Sequence, residues 1–390
     1  MRPEQAIALQ VCARPDEPLA REIDALDQSA WDALLALAGE HRFGPLLHRA
    51  AKDCARPERT AALREIAALQ TQVSLAQAQV LQRASRTLGD AGIEHVALKG
   101  CVLAFALYPE PALRPLRDID LLTRPDRAEE ARETLLSKGF THWPPAGSYG
   151  IDHSHQLPPV FDEASDTAIE IHHRLSATGW PGEPELLDMI WRDTTDLAVF
   201  SQAIPAPSAH GNALHLTAHA TLHHTFSAGP LVLADLHYLN ASGALDWPAL
   251  MEQARTLGLL RSLGLLAAIA RNFGALWVPA CLQNAAAEAG PFVEEAAAAL
   301  IAPREEYEQR QMLRRMEDAG DKHGLAGAAK RAFSPDADQL ARIAGTSASD
   351  PRRWLAFPAW ARHRAARYLA ARRNPPALNM ALREWLRGQG

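Results

Sequence analysis

The chain has 390 residues, is 47% hydrophobic and carries a net charge of −6. That length supports two or three buried cores, and the mildly negative balance gives no electrostatic footprint for nucleic acid. Four scattered cysteines (Cys12, Cys54, Cys101, Cys281) lack metal or disulfide spacing, no apolar run is long enough to span a membrane, and the N-terminus has no signal-peptide character, so a reduced, cytoplasmic setting is expected.

Residues 1 to about 90 read as a helical N-terminal segment. Leu19 to Leu37 carries apolar residues at helical spacing, with Ser29 as the expected N-cap before Trp31. Thr60 to Leu88 predicts a long helix ending at Gly89-Asp90-Ala91-Gly92. Ile93 to Leu98 then reads as a strand, broken by Lys99-Gly100-Cys101, and Val102 to Leu107 as a short helix stopped by Pro109 and Pro111. A strand, a glycine turn and a helix N-terminus make a natural phosphate cradle, to which Lys99 adds a mobile positive charge.

Leu116 to Leu122 is a strand whose alternation puts Asp118 and Asp120 on one face. Two adjacent carboxylates repel, and a divalent cation between them would remove the repulsion. Pro125-Asp126 opens a helix to Lys138-Gly139. Two extended segments follow, His155 to Phe161 and Ala168 to Leu175, the second with Ile169 and Ile171 opposite Glu170 and His172. Taken singly, each acid reads better as a solvent-facing strand residue.

Asn212 to Phe226 predicts a helix with His215, His219 and His223 on one face and His224 beside them. Gly229-Pro230 ends it, and a second helix carries Asp235 and His237. Two histidines at i and i+4 can bind zinc, but no Glu follows the first, so a zinc site ranks below a cleft-lining role. Asp246 is the expected N-cap of a further helix, and Ala/Leu-rich helices continue to about 332. From Pro351 onward nine arginines are interleaved with Trp354, Phe357, Trp360, Tyr368 and Trp385 against one acid, Glu384. This tail reads first as an amphipathic helix packing its aromatic side, and second as a contact for an anionic surface or partner.

The spaced combination resembles the DNA polymerase β-like nucleotidyltransferases, and within them an uncharacterised bacterial family with a Leu-Lys-Gly turn. The phrases that carry the resemblance are Ala97-Leu98-Lys99-Gly100, Tyr108-Pro109 with Leu113-Arg114-Pro115, Asp118-Ile119-Asp120-Leu121-Leu122, Glu170-Ile171-His172 with Arg174-Leu175, and His219, His223 and Asp235-Leu236. Together they cover roughly residues 75 to 280. The resemblance implies an α+β fold: a small mixed sheet with helices at 91–205, a helical domain closing the cleft at 206–335, and helical or basic segments at 1–90 and 336–390.

It also implies transfer of a nucleoside monophosphate from an NTP to an unidentified acceptor hydroxyl or phosphate, with pyrophosphate released. Asp118, Asp120 and Glu170 would be the catalytic carboxylates and the ligands of Mg²⁺ or Mn²⁺. Lys99, Gly100, Arg114, His172, His219, His223 and Asp235 would form the nucleotide-binding set. Arg114 would grip phosphate bidentately, Arg117 ranking below it, and Asp235 would orient a histidine ring. Cys101 stands where the wider superfamily has Ser, and a thiol is a poor phosphate ligand. The alternative function is a catalytically silent nucleotide- or partner-binding module of the same fold, against which the retention of three mutually repelling acids argues. A kinase-like phosphoryl transfer or a peptide-tailoring step also stays open.

Overall fold

The structure, a computed structural model, is described for residues 1–142, 154–176, 179–303, 335, 340, 343–344, 350–373 and 380–388. It opens with helices α1 (Pro3–Ala13), α2 (Ala20–Asp24), α3 (Gln28–His41), α4 (Gly44–Ala50) and the 34-residue α5 (Pro57–Asp90). The single helix expected over Leu19 to Leu37 is broken between α2 and α3. Asp27, not Ser29, caps α3 by accepting a hydrogen bond from Ala30 N at 2.8 Å. The reason for the break is tertiary. The fully buried guanidinium of Arg59, on α5, donates to the carbonyls of Ile23 and Leu26 at the break, adding to the backbone bond that Ile23 O accepts from Leu26 N. α5 ends as expected, and Gly92 follows it at φ 66°.

The sheet comprises β1 (His95–Leu98), β2 (Asp118–Thr123), β3 (Thr141–His142), β4 (Val160–Asp162) and β5 (Thr167–His172), in the order β1-β2-β5-β4-β3. β2 and β5 run parallel, and the other neighbours are antiparallel. α6 (Lys99–Ala106) follows β1 directly, and α7 (Ala128–Ser137) follows β2. Ile119, Leu121, Ile169 and Ile171 join one core with Leu81, Ala84 and Leu88 of α5 and Ala131 and Leu135 of α7. Each such fully buried aliphatic side chain stabilises the fold by about 1.5–3 kcal/mol. Burying that face fixes the strand register, and with period-two alternation the acids must lie on the other face.

After α8 (Glu183–Arg192) comes a hairpin absent from the sequence reading, β6 (Thr194–Val199) and β7 (Gln202–Pro207). It adds Leu197, Val199, Ile204 and Ala206 to the core and turns at Phe200, which holds φ 51°. α9 (Ala209–Ala218), α10 (Leu231–Ala241), α11 (Trp247–Thr256), α12 (Leu260–Asn272), α13 (Gln283–Glu288) and α14 (Val293–Leu300) follow, with Asp246 capping α11 as expected. Later come α15 (Phe357–Arg373) and α16 (Met380–Arg387).

One compact unit contains Met1–His142, Gly150–Ile301 and Met380–Gly390, running across the expected boundaries at 90 and 205. The second contains Trp143–Tyr149 and Ala302–Asn379, so the expected C-terminal tail is divided between the two. In α16, Trp385 lies 5.0 Å from Phe292, with Arg261 over its ring, a packing role for that part of the tail. The helices expected between 304 and 332 lie outside the described residues.

Candidate active site

Register builds the site. Asp120 pairs with Glu170 across the parallel β2/β5 ladder and with Leu98 across β1/β2, so the last residue of β1 delivers Lys99 beside it. Lys99 sits at φ 54°, a left-handed conformation that costs a non-glycine residue about 1–2 kcal/mol. Its ammonium donates to Asp120 Oδ1 at 2.8 Å. His172 Nε2 lies 2.7 Å from the same oxygen and 3.5 Å from Glu170 Oε2. Asp118 stands two residues back on the same face.

The electrostatics are those of a site built for positive charge. Burial and the charges of Asp120 and Glu170 push the Asp118 carboxyl up to about 7, against the pull of Lys99 and Arg42. Burial would raise Asp120 too, but Lys99 and His172 outweigh it and hold that carboxyl well below the usual range. Burial opposes charge on both Lys99 and His172, yet the carboxylates raise both above their ordinary values. Asp120, Glu170 and His172 offer ligand atoms all within 4.8 Å of one another, the only such group among the described residues. Two carboxylates and an imidazole fit a divalent cation, and the Lys99 ammonium already stands against Asp120 as a cation would.

Several expected roles are corrected. Arg114 does not offer its fork to a phosphate. Its Nε and Nη2 donate to the two oxygens of the buried Asp235 at 2.7 and 3.0 Å, and its Nη1 turns to the Pro115 carbonyl. Asp235, expected to orient a histidine ring, also accepts from the Tyr108 hydroxyl at 2.7 Å. Two buried opposite charges with matched hydrogen bonds form a brace between the segment before β2 and α10. His172 is wholly buried with Nε2 turned to carboxylates, so it belongs to the acidic cluster and not to a nucleotide contact. The Cys101 thiol is buried and donates to the Leu98 carbonyl at 2.9 Å, away from any phosphate role. A Cβ at Gly100 would be tight, 3.0 Å from Leu116 Cδ2 and 3.4 Å from Arg114 Nη1, so those side chains would have to give by a few tenths of an ångström.

The histidine segment is not one α-helix. After α9 it widens into a π turn over His219–His223, in which His224 N donates to His219 O, and then passes through Thr225 (φ 51°) and Phe226 (φ 63°). Left-handed backbone at a β-branched residue is an outlier. His223 reaches toward the acids through an intermediary: its ring is 4.8 Å from that of His155, which is 5.2 Å from that of His172. Burial first, then the charges of His224, Lys99, His223 and His215, hold His219 well below the usual imidazole range. A neutral ring gives a phosphate no charge, though its N–H can still donate a hydrogen bond to one.

Sequence reading missed two contributors. Arg42, at the left-handed end of α3 (φ 60°), has its charge felt by Asp118, and only the docking of the N-terminal helices brings it there. His155 stands at the start of an unremarkable extended segment, and no local pattern marks its ring as a bridge between His172 and His223.

A small mixed sheet that carries a buried carboxylate–imidazole–ammonium cluster on the face opposite its aliphatic core defines an α+β protein with a ready cation site. The profile of a family described as uncharacterised nucleotidyltransferase matches residues 27–274, well over half of the chain, and the protein belongs to that family. A solved structure described as an antigenic nucleotidyltransferase-like protein from Paracoccidioides brasiliensis is similar at 16% identity with a TM-score of 0.26, covering 60% of this chain and 93% of that one. At that score the likeness carries no weight for the fold. No curated protein matches the chain. Among the described residues, no helix is long and apolar enough to cross a membrane.

Proposed function

We propose that the protein transfers a nucleoside monophosphate from an NTP to an acceptor hydroxyl or phosphate, with Asp118, Asp120 and Glu170 as the catalytic carboxylates. The observation that carries this reading is the convergence of Asp120, Glu170 and His172, with Asp118 on the same face, in a chain of nucleotidyltransferase family. Asp118, Asp120 and Glu170 would hold Mg²⁺ or Mn²⁺, which supplies charge stabilisation for the attacking and leaving oxygens.

The chain's own groups divide the remaining work. His172 donates from Nε2 to Asp120 and fixes the orientation of that carboxylate. Lys99, held by its backbone over the acids, supplies positive charge for the triphosphate, as does the turn at Gly100 through its backbone N–H groups. Glu170, the less buried of the two ladder-paired acids, is placed to take the acceptor's proton. Arg42, whose charge is felt at Asp118, and Arg117, whose charge is felt at His41, are the guanidinium groups we assign to the phosphates.

The test is incubation of the purified chain with Mg²⁺ and each labelled NTP in turn, cell extract serving as acceptor. Label should pass to an acceptor with at least one NTP, and Asp120→Asn should fall to background, with circular dichroism checking that it stays folded without the Lys99 ion pair. Near wild-type turnover in Asp120→Asn would sink the carboxylate assignment.

A further inference from the structure

The π turn explains itself if His219, His223 and His224 act on a common centre. On an α-helix, side chains five apart point about 140° away from each other. The widened turn, closed by His224 N donating to His219 O at 3.0 Å, brings those two residues to the same face. Their ring centroids are 4.3 Å apart, those of His223 and His224 4.6 Å, and those of His219 and His223 5.4 Å. A tetrahedral ion bound by imidazole nitrogens at about 2.0–2.1 Å sets ring centroids about 5 Å apart. The three rings are thus near enough to share one ion, although those of His223 and His224 are stacked at 20° and must turn to do so.

We infer that His219, His223 and His224 form a second metal site, for a borderline transition-metal ion of the Zn²⁺ or Co²⁺ class, separate from the carboxylate cluster. The donor set decides the class. Three nitrogen ligands with no carboxylate among them suit zinc and its neighbours and are poor ligands for Mg²⁺. The nitrogens do not yet point to one centre, since among the described residues the only group with converged ligand atoms is Asp120, Glu170 and His172. Convergence requires rotation of the rings about Cβ–Cγ, a broad and soft torsion for histidine. His215, one turn back, is 1% exposed with neither ring nitrogen hydrogen-bonded.

The backbone distortion points the same way. A π turn followed by Thr225 and Phe226 in left-handed conformation costs about 1–3 kcal/mol for each strained residue, and such turns recur at functional sites. An ion here would fix His223 and, through it, His155 against His172.

The inference is independent of nucleotide transfer, and its test does not use activity. Tag-free, full-length protein is stripped with chelator and titrated with Co²⁺ in the presence of excess Mg²⁺, following visible absorption. One equivalent of Co²⁺ should give the intense band of tetrahedral cobalt, which Zn²⁺ abolishes by displacement. Asp120→Asn should keep the band, whereas His219→Ala and His224→Ala should each weaken Co²⁺ binding tenfold or more. Circular dichroism checks that the variants fold. If His219→Ala does not fold, His224→Ala, at the half-buried end of the turn, decides alone. No band in the wild type, a band retained in His224→Ala, or a band lost in Asp120→Asn would each overturn the second site.

Discussion

The two chemically rich regions of this protein are built in opposite ways. The carboxylate cluster lies on regular strands: its acids are placed by period-two alternation and a parallel ladder, and one buried apolar face fixes both. The histidine segment lies on distorted backbone, where a π turn and two left-handed residues replace helical spacing. Regular backbone made the acids readable from sequence, whereas distorted backbone gave the histidines neighbours that helical periodicity forbids. The electrostatics differ as well. The acids hold compensating charge, from Lys99 and His172, and the histidines are kept neutral by burial.

The brace between the regions gives the largest expected effect. Arg114→Ala leaves Asp235 buried with an unpaired charge and should cost about 3–5 kcal/mol, read as a lowered urea midpoint. Arg114→Lys should recover only part of the loss, because an ammonium cannot make the fork. An unchanged midpoint combined with weakened NTP binding would return Arg114 to the phosphate role and break the comparison.

The pH dependence of stability in chelator should sharpen it, because the two regions slope in opposite directions. Burial lowers His215 to about 3, so the unfolded chain binds a proton that the folded chain refuses. Its stabilising contribution is complete above the ordinary histidine value near 6.5 and is lost as pH falls toward 3, by at most about 1.4 kcal/mol per pH unit. Asp118 runs the other way. Its folded carboxyl keeps a proton up to about 7, so rising pH from about 4 to about 7 costs stability. Unfolding free energies measured between pH 4 and 7 should rise more steeply with pH in Asp118→Asn than in wild type, and less steeply in His215→Phe. Equal slopes in all three proteins would remove the electrostatic contrast.

The smallest expected effect probes the distorted backbone alone. Thr225→Gly removes a left-handed penalty of about 1–2 kcal/mol while loosening the unfolded chain, so a net gain of up to about 1 kcal/mol is expected in thermal unfolding. A clear loss would show that the Thr225 side chain contributes more than its backbone strain costs.

The strand–turn–helix order, the one face shared by Asp118 and Asp120 and that shared by Glu170 and His172, and the end of α5 just before Gly92 were all set by local pattern, whereas the pairing of β2 with β5 that joins the two faces was not. Alternation and glycine chemistry act over a few residues and need no tertiary partner. What Arg114 and Asp235 do was decided only in three dimensions, since 121 positions separate them and a guanidinium suits a carboxylate as well as a phosphate. The break between α2 and α3 depended on Arg59, more than thirty residues further along the chain. Packing likewise brought Arg42 to Asp118 and His155 between His172 and His223. His219 and His224 became neighbours through one widened turn, which helical periodicity cannot encode because it places residues five apart on different faces.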